Sequence, residues 1–218
     1  MRADALARSA ASPIVLQAPE PQLEAAAILQ VQAAILAHPA FAAAATAFAN
    51  ELVALFGAAR ACLGMLERDS VRIAAISGEI DFQRNAEFCR IVAAAMDEAL
   101  EQGASIAYPA APGARPRVTL AHAEAARRGG SVLSVPLVNA GRPIGAFTLE
   151  FRAGNPPDAA AIAACEHLAC LIAPVLELKR DADRPWHSRS PSQRANCASA
   201  PSVRGTPWSR RARWPRPA

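Results

Sequence analysis

Apolar residues along this chain recur with two periods, and the switching between them predicts an order of elements. From Gln22 to Ala37, Ile28, Val31 and Ile35 stand at helical spacing while Gln30 and Gln32 point elsewhere, and Pro39 ends that helix. Phe41, Ala44, Ala45, Phe48, Leu52 and Leu55 mark one face of a second helix, with Gly57 placed to cap it. "RACLGML" and "VRIAAIS" are short apolar segments, and the charged loop between them, Glu67 to Ser70, predicts an antiparallel hairpin. Phe88, Ile91, Val92, Ala95, Met96 and Ala99 form the apolar face of a third helix closed by Gln102-Gly103. "ASIAYP" predicts one short strand and "TLAHAEAARRGG" a short helix or turn.

"SVLSVPLVNAGRPIGAFTLEF", 131–151, predicts two strands around a short loop in which Gly141 is left-handed. Pro136 and Pro143 cannot donate to a ladder, so each belongs at a bulge, an edge or a strand start. A long helix follows from Asp158 to Arg180, kinked at Pro174. Ile162, Cys165, Ala169, Ile172 and Leu176 form one seam along it; Ala164, Leu168, Leu171, Val175 and Leu178 form a second. A stripe that wide exceeds one sheet contact, so Leu168, Leu171, Val175 and Leu178 are a candidate dimer interface, with burial inside the chain as the alternative. Helices at both ends and in one insertion, with no long parallel crossover, indicate an α+β fold with an antiparallel sheet.

Composition narrows this picture. The chain has 218 residues and 52% hydrophobic content, which fits one domain with flanking segments, although alanine supplies much of that fraction. The formal net charge is +4, but 181–218 alone carry +6, eight Arg against two Asp, which leaves the first 180 residues at −2. Residues 1–20 mix Ala, Ser and Pro without a period and are expected to be disordered. The five Cys lack metal-like spacing and read as free thiols of a reducing compartment, and no secretory signal is evident, so a cytoplasmic location is expected. "AFAAAATAFANELVALFGAA" resembles a membrane span in composition, but Asn50 and Glu51 interrupt it.

From Asp181 the composition changes. Residues 181–218 hold all three Trp, six Pro and six Ser, with no Leu, Ile, Phe or Met, and cannot build a core. Trp interleaved with Arg permits an anionic-surface reading, though no specific nucleic-acid motif accompanies it. A GC-rich gene read in a shifted frame yields the same mixture, and a frameshifted terminus on a truncated module is the working hypothesis for this tail.

Residues Phe41 to Arg180 resemble a GAF domain, the small-molecule-binding regulatory module related to the PAS fold. The resemblance is carried by "LFGAARACLGMLERDSVRIAAISG", by the 131–151 hairpin with its Pro136-Leu137 and Ile144-Gly145-Ala146 pattern, and by "ACEHLACLIAPVLELKR". "AAAMDEALEQGASIAYP", "TLAHAEAARRGGSVLSVPL" and "APVLELKR" further resemble the GAF module ahead of bacterial membrane-fusion (periplasmic adaptor) subunits of efflux systems. That resemblance implies a membrane and adaptor region beyond the module, which this chain does not contain. Residues 21–180 are thus expected to form a GAF domain with flanking helices.

No GxSxG, HExxH, Walker or GxGxxG pattern is present, and the four His are too scattered for a metal set. The candidate ligand-binding set on the pocket face implied by the resemblance is Phe88, Met96, Tyr108, Arg117, His122 and Ser134, with Arg90 and Arg115 as further anion-binding possibilities. A packed or solvated role stands beside each of these. The ligand is unknown, and no metal is expected. "NAEFCRIVAAAMDE" departs from the cyclic-nucleotide signature of GAF domains at Ala86 and in the spacing to Asp97-Glu98, and no Cys-His pair supports a bilin. Cys62 and Cys89 permit comparison with the GAF-fold free methionine sulfoxide reductases. The expected function is a non-catalytic sensory module, a homodimer binding a small molecule. The alternatives are a ligand-free structural module beside a transport system and a thiol-dependent reductase.

Overall fold

The computed structural model describes residues 25–78, 86–110, 113–128 and 130–183. Expectations for 1–20 and for the tail beyond Asp183 lie outside these residues. Helices α1 (Ala25–Leu36) and α2 (Phe41–Phe56) meet at Pro39, and α2 ends on Gly57 at φ 62°, a left-handed cap that costs glycine nothing. Strands β1 (Arg60–Glu67) and β2 (Ser70–Ile76) form the first hairpin. Helix α3 (Ala86–Glu101), strand β3 (Ile106–Tyr108) and helix α4 (Leu120–Ala125) follow, then strands β4 (Gly130–Asn139) and β5 (Arg142–Arg152) and helix α5 (Ala159–Asp183). The sheet order is β2-β1-β5-β4-β3, antiparallel throughout, and the fold is α+β as the sequence pattern indicated.

Alternation along β4 and β5 divides the core into two layers. Leu133, Val135, Leu137, Phe147, Leu149 and Phe151 pack with α1, α2 and α5. On the opposite face Cys62, Val71, Ile76 and Ala146 pack with Phe88, Val92 and Met96 of α3, while Val132 meets Ala95 of α3 and Ala125 of α4. Phe48 and Phe147 join α2 to the sheet edge-to-face, 5.8 Å between ring centroids.

The 131–151 hairpin turns on two left-handed residues, Ala140 at φ 49° and Gly141 at φ 74°, where the sequence pointed to Gly141 alone. Paired positive φ values match the right-handed twist of the flanking strands, so Ala140 accepts a conformation costing about 1–2 kcal/mol. Glu177 of α5 accepts hydrogen bonds from Asn139 and Arg142 on either side of this turn, which fixes the tip to the helix. β3 begins, at Ile106, opposite Ser134, so Pro136, two residues on, needs no donor on its open side. Pro143 lies beside the register shift at Leu137 and Val138.

Helix α5 departs from expectation in two ways. It continues through Asp181–Asp183, three residues assigned above to the tail, because its last turn is anchored. Lys179 donates to the His38 carbonyl, Arg180 donates to that of Leu66, and Asp183 accepts from the Phe41 N–H. Leu168, expected on the outward seam, is fully buried in the main core, whereas Leu171 is 46% and Leu178 69% exposed and Val175 is half-buried. The helix runs on through Pro174. It has the length and apolarity of a membrane span, but Cys165, Leu168, Ile172 and Leu176 are occupied by the sheet-side core.

Candidate functional site

Helix α4 is six residues long, too short to persist alone, and α3 holds it in place. The Glu98 carboxylate accepts the Ala121 and His122 backbone N–H groups, each at 3.2 Å, and lies 2.6 Å from His122 Nδ1. One acid from α3 thereby satisfies two orphan donors of the α4 N-terminus and fixes the histidine tautomer, with the proton on Nδ1. Burial draws the His122 pKa below its ordinary value against the pull of Glu98. Burial raises that of Glu98, but the hydrogen bonds from the His122 side chain and the Ala121 and His122 N–H groups more than offset it. His122 Nε2 is buried and has no hydrogen-bond partner among the described residues.

A second attachment lies one turn further along α3. The Gln102 amide donates to the Val118 carbonyl at 2.9 Å and accepts the Val118 N–H at 3.2 Å, while also donating to the Glu98 carbonyl. Ile91, Ala95, Glu98 and Gln102 form one helical stripe facing α4 and the segment that leads into it. The signal for Glu98 and Gln102, which the sequence reading passed over, was therefore two polar residues continuing an apolar stripe.

The chain pinned by Gln102 borders a cavity of about 390 Å³. Tyr108 and Ile106 of β3, Arg115, Arg117 and Thr119 of the segment before α4, and Ile162 of α5 line it. Tyr108 and Arg117 of the expected set are thus brought together, with Arg115 added. The other four lie elsewhere. Phe88 and Met96 fill the α3 side of the sheet, with the Arg60 guanidinium 4.6 Å above the Phe88 ring. His122 is enclosed with Glu98, and Ser134 Oγ meets Thr148 Oγ1 at 2.8 Å, both fully buried. Arg90 sits apart, 3.5 Å from Glu87, in a wider groove along β2.

Cys62 and Cys89 both join the apolar cluster under α3, Cys62 buried and Cys89 half-buried. No cluster of potential metal ligands occurs among the described residues.

A family model described as GAF domain matches residues 40–177. The free methionine-R-sulfoxide reductase of Neisseria meningitidis, solved in complex with its substrate, superimposes with a TM-score of 0.52 at 17% identity, covering 72% of this chain and 89% of that one. The GAF domain of a Coxiella burnetii phosphoenolpyruvate-protein phosphotransferase gives 0.52 at 15% identity, covering 72% and 94%. Its Acinetobacter counterpart gives 0.53 at 10%, again covering 72% and 94%. No curated protein matches in sequence. Identities this low carry fold and not chemistry. With the hairpin signature, the two-layer sheet and a family match over most of the described chain in agreement, this protein belongs to the GAF domain family.

Proposed function

We propose that this GAF domain is a non-catalytic sensory module that binds a small molecule between β3 and the Arg115–Thr119 segment and reports its presence through α5. One observation carries this reading. Ile162, in the first turn of α5, lines the cavity, and the same helix presents Leu171 and Leu178 to solvent further on. A ligand pressing on Ile162 acts directly on the output helix, and any difference in its affinity for two helix positions shifts their populations. GAF domains are commonly sensory or ligand-binding regulatory modules, which fits this arrangement.

The output is a homodimer face. Leu29 and Leu36 of α1 are exposed, seven residues apart like Leu171 and Leu178. The two helices bring their C-terminal ends together, since Lys179 reaches the His38 carbonyl just beyond α1. Two leucines at heptad spacing on each of two neighbouring helices make a strip that a second copy can cover. We place the module in the cytoplasm, where its free thiols stay reduced. The absence of catalysis is part of the same proposal. The His122 ring of the acid–base pair Glu98–His122 is fully buried, which supports a structural part for it. A thermal-shift screen with metabolites tests ligand binding.

A second reading is a ligand-free structural module associated with a membrane transport system. Its ligand-free part is favoured by Phe88, Val92 and Met96, which fill the space under α3. Silence across a broad metabolite library, with dimerisation intact, selects it over the sensor.

A further inference from the structure

Resting on the assignment of the β3 cavity to ligand binding, we infer that its ligand is a small anion, a carboxylate- or phosphate-bearing molecule with a short apolar body. The charge of the lining is one-sided: Arg115 and Arg117 contribute two guanidinium groups, and among the described residues no Asp or Glu lines the cavity. Among the described residues neither arginine makes an ion pair. Arg72, Arg90, Arg127 and Arg142 each lie within 3.7 Å of a glutamate. The positive lining is also not a sample of a generally basic surface, because the first 180 residues carry a net −2.

The sequence keeps the two charges close together. They flank Pro116, whose ring fixes its own φ and biases Arg115 toward extended backbone. In extended chain, residues two apart share a side at roughly 6–7 Å, a spacing at which two planar forks can serve one oxyanion group. Gln102 holds the chain at Val118, immediately after Arg117, and Glu98 holds it again at Ala121 and His122. The arm that carries the arginines is therefore preorganised, which lowers the ordering cost of binding. Tyr108, Ile106, Ala107 and Ile162 supply an apolar wall, with the Ser105 and Thr119 hydroxyls at hand for polar substituents. The volume of about 390 Å³ lies in the range of roughly 300–1,000 Å³ usual for small-molecule sites.

Matched probes test the charge requirement on the full chain. Benzoate is paired with benzamide, and phenyl phosphate with benzyl alcohol, in amide-resolved NMR titrations at low and physiological salt. The expected result is saturable binding of at least one anion, with perturbations at 105–108 and 115–119 and about tenfold weaker binding of its neutral counterpart. The Arg115→Gln/Arg117→Gln double variant is expected to lose that binding at unchanged melting temperature, since neither side chain has an ion-pair partner among the described residues. Which anion wins distinguishes carboxylate from phosphate ligands. Equal binding of the neutral members at the same residues overturns the anion inference and leaves the ligand-binding reading standing. Binding that persists in the double variant, or that maps elsewhere, overturns the site itself. Failure of all four probes at millimolar concentration overturns the anion inference; a metabolite response in the thermal-shift screen then shows separately that the sensor reading survives.

Discussion

His122 presents Nδ1 to Glu98 Oε2 at 2.6 Å, a contact between α4 and α3 closed to solvent. Its pH dependence has a definite sign. The folded-state pKa of His122 is depressed below 6.5, so as pH falls through that value the unfolded chain takes up a proton before the folded one does. Stability is then lost from pH 6.5 downward until the folded-state pKa is passed. Glu98, held below 4.5, adds a loss in the same direction at lower pH. Asp97, raised above 3.8 chiefly by burial and also by Glu101, against the Val71 N–H hydrogen bond, opposes it there. A melting series from pH 8 to pH 5 should decline, and the decline attributable to this pair should shrink in His122→Gln. A profile identical in the two proteins refutes the assignment.

Removing the acid should be costlier than removing the base. Glu98→Ala leaves two backbone donors and the imidazole without an acceptor, an expected loss of about 2–3 kcal/mol by denaturant titration. A loss under half of that would mean that α4 is held by its apolar contacts and the Gln102 attachment.

Two glycines of the sheet centre should rank in order. A Cβ at Gly64 would lie 2.3 Å from a Val71 methyl and 2.4 Å from the Met96 sulfur, side-chain atoms that can yield, so Gly64→Ala should cost about 1–3 kcal/mol. A Cβ at Gly145 would lie 2.2 Å from the Gly64 carbonyl oxygen, which cannot move without breaking the ladder, so Gly145→Ala should cost more, about 4 kcal/mol. Chemical denaturation of both variants checks the order, and its reversal would contradict the packing described.

The leucines of α5 distinguish the proposed interface from the core. Leu171→Asp/Leu178→Asp should yield a folded monomer by light scattering with little change in melting temperature. Leu168→Ala should instead lower stability by about 2–5 kcal/mol. A wild-type monomer at micromolar concentration removes the dimer.

Thiol reactivity should follow exposure. Cys170 is exposed and should label promptly with a chromogenic disulfide, whereas Cys62 is buried and Cys165 is pushed up by burial and by neighbouring Glu166. Those two should react only after denaturation. Turnover of free methionine sulfoxide that disappears in Cys62→Ser/Cys89→Ser would reinstate the reductase reading.

Much of this architecture was legible because it depends on local periodicity. The helical faces, the two hairpins, the Gly57 cap and the Gly145 signature all declare themselves within a few residues. The proposed ligand site did not. Phe88, Met96 and Ser134 stand on faces that point under α3, but an apolar face does not reveal whether its side chains border a void or fill it. The link from Glu98 to His122 spans 24 residues and exists only once α3 and α4 meet. Leu168 differs from Leu171 by less than one helical turn, and only the sheet's position decides which of them is inside.

Ile162 and Leu178 stand on one continuous rod, 16 residues or about 24 Å apart. As a lever, α5 would convert a tilt of about 5° at the cavity into about 2 Å at its far end, the scale of helix displacements that repack subunit interfaces. Pro174 lies between Ile162 and Leu178 and deletes the hydrogen bond that the Cys170 carbonyl would otherwise receive. In the proposed sensor the compliance of such a lever would be concentrated at that turn, and its gain would depend on how stiff that one turn is.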